Sequence, residues 1–194
     1  MPSFCFLGQK VFYRPVYEPK MHQFCCMGMI TIISGTNRPD SNTEKVAEQY
    51  VRLLEAKGVK PRYISLVGLY VQERNPAIKQ LEEDILIPTD KFIFISPEYN
   101  GSIPGVLKSL IDNTDIKKVW WGKKALLTGV STGRAGNLRG MEHLTGILHY
   151  LKVHVHPDKL PISVVDKLLN GAGEITDPPT LAAIDTQLDE FLAY

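Results

Sequence analysis

The sequence predicts a doubly wound α/β fold: a five-stranded parallel sheet with helices on both faces. Three observations lead there. From Met29 onward, short β-branched runs alternate with stretches of 3.6-residue apolar periodicity, the mark of successive β–α units. The run 91–96 is apolar without alternation, as a parallel strand covered on both faces must be. Cap residues, glycines and prolines punctuate the junctions.

In order, residues 30–34 form a short strand of the buried type. Ser41 and Glu44 make an S-x-x-E capping box, so the first helix opens near Thr43, with Val46, Ala47, Tyr50, Leu53 and Leu54 inward. Gly58 stands where a left-handed C-cap is wanted. Residues 60–66 are the second strand. Asn75-Pro76 opens a short helix carrying Ile78, Leu81 and Ile85, and Glu82-Glu83-Asp84 reads as its solvated end. After the third strand, Ile103, Val106, Leu107, Leu110 and Ile111 form a helical stripe, with Ser102 as cap and Pro104 in the first turn. Residues 124–130 are the fourth strand. Residues 138–151 are a helix with Leu138, Met141, Leu144, Leu148 and Leu151 on one side, and 153–156 are the fifth strand. A loop over 171–179 leads to a final helix over 180–192. Right-handed crossovers and a ligand loop after the first strand favour the strand order 2-1-3-4-5, the flavodoxin-like arrangement.

The 194 residues suffice for one domain with a real core, and 44% hydrophobic with 22% charged content fits a globular protein. A formal net charge of +1 argues against nucleic acid as the main partner. It also argues against an electron shuttle steered by a strong single-sign field. No apolar run approaches the ~20 residues of a membrane span. All 3 cysteines (Cys5, Cys25 and Cys26) precede Met29, which implies no disulfide framework and suits the cytoplasm. Residues 1–28 lack periodicity and carry Pro2, Pro15 and Pro19; they read as an extension outside a core of residues 29–194.

Three loops carry the chemistry. Gly35-Thr36-Asn37-Arg38-Pro39-Asp40-Ser41-Asn42-Thr43 joins the first strand to the first helix. It offers orphan helix amides, hydroxyls from Thr36, Ser41 and Thr43, the Asn42 amide and the Arg38 fork, a donor set for a phosphomonoester. It is neither G-x-G-x-x-G nor a Walker A loop, which disfavours dinucleotide and NTP sites. An ordinary capped turn has a similar composition. Pro97, Glu98, Tyr99, Asn100 and Gly101 follow the third strand. Strands one and three flank the switch point of this topology, so the two loops share one crevice. Glu98, Asn100 and loop amides match the donor–acceptor edge of an isoalloxazine ring, and Tyr99 supplies an apolar wall. The third loop, Ser131-Thr132-Gly133-Arg134-Ala135-Gly136-Asn137, brings two glycines that allow close backbone approach to a flat ligand. Arg134 is either a solvated loop charge or a partner for the reduced ring or a nucleotide phosphate.

With these loops in view, residues 29–192 resemble the NAD(P)H-dependent FMN reductases, a flavodoxin-like family that includes quinone, azo-dye and chromate reductases. The family's phosphate loop, roughly G-S-x-R-x-x-S-x-N, corresponds to Gly35–Thr43. Its more specific ring loop, P-E-Y-N-x-S-x-P-G-x-L-K, corresponds to Pro97–Lys108. Its third loop corresponds to Ser131, Gly133, Gly136 and Arg139. Two departures stand out: Gly136-Asn137 where the family often has two glycines, and Asp112-Asn113 where it often has Asp-Trp. The resemblance implies bound FMN and hydride delivery from NADPH or NADH to a small-molecule electron acceptor: a quinone, azo compound, metal oxyanion or free flavin. It also implies a homodimer or homotetramer, in which Trp120-Trp121 would cover the sheet end or an interface. The alternative is a flavodoxin-type electron carrier with no enzymatic activity. His154 and His156, two apart on a strand, read as edge or partly buried side chains, with a shared metal as the lesser reading, and no metal is expected.

Overall fold

The computed structural model describes residues 28–194 and, before them, only the antiparallel backbone pairing of β1 (Cys5–Phe6) with β2 (Gln9–Lys10). The reading of residues 1–28 as an extension, and of Cys25 and Cys26, otherwise lies outside the described residues. The main sheet is parallel. Its strands are β3 (Ile30–Ser34), β4 (Arg62–Ser65), β5 (Lys91–Pro97), β6 (Lys124–Val130), β7 (His154–Val155) and β8 (Leu160–Ile162). They run in the order β4-β3-β5-β6-β7, with β8 also on β6. Among these strands this is the expected 2-1-3-4-5 order with one extra segment. Ser34 pairs with Ile95, Pro97 with Val130 and Val130 with Ile162, so the carboxyl ends lie side by side along one edge.

Helices α1 (Asn42–Ala56) and α5 (Pro178–Ala193) cover one face. There Ile32, Ile93, Ile95 and Leu126 pack with Val46, Tyr50, Ile184 and Leu188. Helices α2 (Pro76–Leu81), α3 (Gly105–Asp112) and α4 (Leu138–Tyr150) cover the other. There Ile33, Phe92, Phe94 and Leu127 meet Ile78, Leu107, Leu110 and Leu144. Successive residues of β5 serve opposite cores, which is why that strand is apolar throughout. Trp120 is buried against Phe92 and Phe94, and its indole N–H donates to the Thr114 hydroxyl at 3.0 Å. Trp121 is 39% exposed and lies beneath the Lys152 ammonium.

Several expectations are corrected. Glu82 is no solvated helix end: it begins a π-helical turn (Glu82–Leu86), is 3% exposed, pairs with Arg74 at 2.7 Å and accepts the Asp115 N–H. A buried carboxylate needs such partners. Leu138 is 51% exposed, because it opens α4 above the sheet edge and only Met141, Leu144, Leu148 and Leu151 turn inward. His154 and His156 do not share a face: His154 is exposed, whereas His156 is buried edge-on to Phe191 and Tyr194. β7 ends at Val155: the His156 N–H still donates to the Ala125 carbonyl at 2.7 Å, but the chain bends at Pro157, so strand alternation does not carry through His156. No group of three or more metal-ligating side chains occurs among the described residues. Nor is any described helix long and apolar enough to cross a membrane.

The fifth strand is split. The ladder to β6 breaks between Ala125↔Val155 and Thr128↔Leu160, where Pro157 has no N–H to give. Gln187 of α5 fills the break. Its Nε2 donates to the Leu127 and Asp158 carbonyls at 3.2 and 3.1 Å, and its Oε1 accepts from Tyr50 at 2.7 Å and Thr128 at 3.2 Å. Burial, with no counter-charge beside it, raises the Tyr50 phenol well above its ordinary value and keeps it a donor. Each group left unpaired in such a site costs about 1–3 kcal/mol, so Gln187→Leu is expected to lower the unfolding free energy by roughly 2–4 kcal/mol in a urea titration. A loss below about 1 kcal/mol would mean that water can satisfy the gap.

Candidate functional site

The phosphate loop leaves β3 with Gly35 N–H donating to the Ile95 carbonyl at 2.8 Å. A Cβ on Gly35 would lie 3.0 Å from Leu107 and 3.2 Å from that carbonyl, so the strand passes tightly over α3. The Ser41 hydroxyl caps α1 by accepting the Glu44 N–H at 3.1 Å. The reciprocal half of the expected capping box is not made, because the Glu44 carboxylate takes the Ser65 hydroxyl at 2.6 Å instead. Asp40 turns the loop at φ 53°. The amides of Asn37, Asn42 and Thr43 have no protein acceptor among the described residues. Orphan amides at a helix start, with Asn42, Thr43 and the exposed Arg38 around them, fit a phosphomonoester.

Thr36 sits deeper. Its buried hydroxyl lies 2.6 Å from the Tyr99 hydroxyl and accepts the Arg38 N–H at 3.2 Å. The Arg38 guanidinium carbon stands 4.1 Å from the Tyr99 ring centroid. Tyr99 is therefore a brace between two loops.

The ring loop is a tight turn. Tyr99 and Ser102 exchange both backbone hydrogen bonds, at 2.9 and 3.2 Å, around Asn100 at φ 54° and Gly101 at φ 77°. Positive φ at both central residues is the type I′ geometry that Asn-Gly favours, a signal readable in the sequence but missed in it. Ser102 accordingly does not cap α3. Pro104 occupies the cap position, and the Ser102 hydroxyl is 2.9 Å from His143 Nδ1. The Glu98 N–H donates to the Val130 carbonyl at 3.1 Å, fixing this loop to the base of the third.

In the third loop the Ser131 hydroxyl donates to the Gly133 carbonyl at 2.9 Å and accepts the Gly136 N–H at 3.0 Å. A Cβ on Gly136 would lie 2.6 Å from Pro161, so the loop rests directly on β8. One contributor had not been expected, and Arg139, which the resemblance did include, is placed by the fold. Segment 163–165 docks here, with Val164 and Val165 donating to the Gly133 and Ser131 carbonyls and Ser163 to that of Arg134. Arg139 stands at the ring loop, its Nη1 3.9 Å from where a Gly101 Cβ would be. Nothing in a single sequence ties residue 163 to 134. Arg134 itself is exposed.

Three loops thus meet at the carboxyl ends of adjacent strands, with the unpaired amides at the start of α1 beside the backbone of the other two. The strand order and the helices on both faces define a flavodoxin-like α/β protein. The chain belongs to the NADPH-dependent FMN reductase family, whose model matches residues 29–165. It is 30% identical over 165 residues to an NAD(P)H-dependent FMN reductase of Pseudomonas aeruginosa, covering 80% of this chain and 89% of that one. It is 26% identical over 174 residues to a 2-hydroxy-1,4-benzoquinone reductase of a Burkholderia species, covering 85% and 94%. Among solved structures, the flavoenzyme NAD(P)H:acceptor oxidoreductase FerB of Paracoccus denitrificans superposes with TM-score 0.69 at 22% identity, covering 86% of this chain and 96% of that one. The protein is an FMN-dependent oxidoreductase that uses NAD(P)H.

Because the cap is made by Ser41 alone, Ser41→Ala is expected to cost the cofactor-free protein about 1 kcal/mol in denaturant unfolding. Glu44→Gln should leave that cap bond in place. An equal loss from both would show that the carboxylate contributes to the cap.

Proposed function

We propose that residues 29–194 are the FMN-binding domain and that residues 1–28 lie outside it. In this reading the three loops hold the cofactor and electrons pass to a small quinone-type acceptor. The observation that carries the site is the convergence of the loops after β3, β5 and β6 on one edge. The benzoquinone reductase and the Escherichia coli quinone reductase among the relatives support the acceptor class; the latter is 31% identical over 62% of this chain and 66% of its own length.

Arg38, Ser41, Asn42, Thr43 and the helix amides hold the phosphate, with Thr36 bracing Arg38 from below. Pro97, Glu98, Tyr99, Asn100 and Gly101 line one side of the ring and Ser131 and Gly133 the other. Gly136, buried on Pro161 with its N–H given to the Ser131 hydroxyl, supports that loop from beneath rather than facing the ring as the sequence suggested. When bound, FMN supplies the two-electron chemistry, taking hydride from NAD(P)H and reducing the acceptor. The chain's part is to orient the ring and leave one face open. Arg38, Arg134 and Arg139 ring this edge with positive charge, which favours an anionic nucleotide co-substrate.

Protein incubated with FMN and desalted is expected to stay yellow, to bleach with anaerobic NADPH or NADH, and to recolour on adding 1,4-benzoquinone. Arg38→Ala should weaken FMN binding roughly tenfold through loss of a charged phosphate contact. Wild-type protein that retains no flavin would refute the assignment of these loops.

A homo-oligomer completes the proposal. Ile111, Ile116, Ile147 and Tyr150 line an apolar groove of about 780 Å³ between α3 and α4, and Tyr150 is 83% exposed. Sedimentation is expected to give at least twice the mass of one chain for the wild type and a smaller species for Tyr150→Asp. A monomeric wild type would remove this part.

A further inference from the structure

Asn137 opens α4, where an asparagine ordinarily has extended backbone and accepts a helix N–H. This one does neither. Its backbone is left-handed, at φ 65° and ψ 32°, and its side chain makes no cap bond. It is fully buried. Its Nδ2 donates to the Ser96 and Pro97 carbonyls, at 2.9 and 3.0 Å. Two carbonyl acceptors can be met only by the NH2 end, so the amide's orientation is determined. Oδ1 is consequently left buried with no partner.

The two carbonyls belong to the last residues of β5, immediately before the ring loop. The Pro97–Glu98 peptide is held at both ends: its carbonyl by Asn137 and its N–H by Val130. That plane sets the direction in which Glu98 and Tyr99 leave the sheet. Asn137 also ends the third loop, so one side chain joins the loops on the two sides of the flavin slot. It needs room to do so. A Cβ at Gly140 would fall 2.0 Å from Asn137 Oδ1 and 2.8 Å from its Cγ.

We propose that Asn137 is a positioning residue that fixes the ring loop against the third loop for FMN binding, and that Gly140 is required because of it. The inference rests on the FMN reading of the loops. It makes the two positions interdependent. Alanine is the better helix former, so G140A should stabilise α4 unless the Asn137 amide is in the way. Asn137→Asp keeps the shape but turns an anion on two carbonyls. Asn137→Gly keeps the left-handed backbone and removes the donors.

The test compares wild type, N137D, N137G, G140A and the N137G/G140A double variant. FMN affinity is read by fluorescence quenching. The cofactor-free proteins are read by unfolding midpoint and by hydrogen exchange at the Glu98 amide. N137D and N137G are expected to weaken FMN roughly tenfold, the scale for losing well-placed buried hydrogen bonds, and to speed exchange at Glu98. G140A should lower the midpoint in the wild-type background and raise it, or leave it unchanged, in the N137G background. Equal damage from G140A in both backgrounds would overturn the coupling. FMN affinity and Glu98 exchange in N137D matching the wild type would overturn the positioning role. If the wild type binds no FMN, the proposed function fails, while exchange at Glu98 and the two-background midpoint comparison still judge the Asn137–Gly140 brace.

Discussion

The parallel ladder between β5 and β6 is the constraint on which the rest depends. Its register, Lys91 to Lys124 at one end and Pro97 to Val130 at the other, is continuous. Both strands are buried on both faces, so their backbone groups have no recourse to water and must be paired by protein. That requirement brings the strand ends level and delivers the three loops to one edge. It also explains why side chains take over wherever the ladder stops: Asn137 at the end of β5, and Gln187 beside β6.

Much of this was legible in the sequence. Apolar period and caps place the strands and helices because each element must turn a definite face to a core. Ser41 and Gly58 mark the ends of α1 through backbone geometry that few residues satisfy. The loops after β3 and β5 are legible as strand-to-helix junctions because cap residues, glycines and prolines mark them. Where the reading failed, the cause was long-range. Glu82 looks solvated until Arg74 and the Asp115 amide come to it from distant positions. The split of the fifth strand depends on a glutamine in the final helix. Leu138 was assigned by carrying the apolar stripe to the first residue of α4, which has no core beneath it, and His156 by extending strand alternation past the end of β7.

The candidate site is braced largely by its own loops. Tyr99 reaches Thr36 and sits under Arg38, Glu98 is tied to Val130, and Gly136 lies on Pro161. Such mutual support lets a site made of loops act as a rigid one, which keeps low the cost of ordering it around a ligand. The glycines work by absence: at Gly136 and Gly140 even a methyl group would occupy space that a neighbouring chain segment already fills.

Gln187 has a further consequence, for the chain during its synthesis. Its partner Tyr50 lies 137 positions earlier. A ribosome releases this sheet strand by strand, and the central strands can assemble while α5 is still being made. Until that helix arrives, the stretch around Leu127 and Asp158 remains an unsealed edge, able to pair with strands of other nascent chains. Sealing it is a long-range event that no local contact can replace. The polar plug that completes the native sheet thus also sets the interval during which the unfinished protein is exposed to its neighbours.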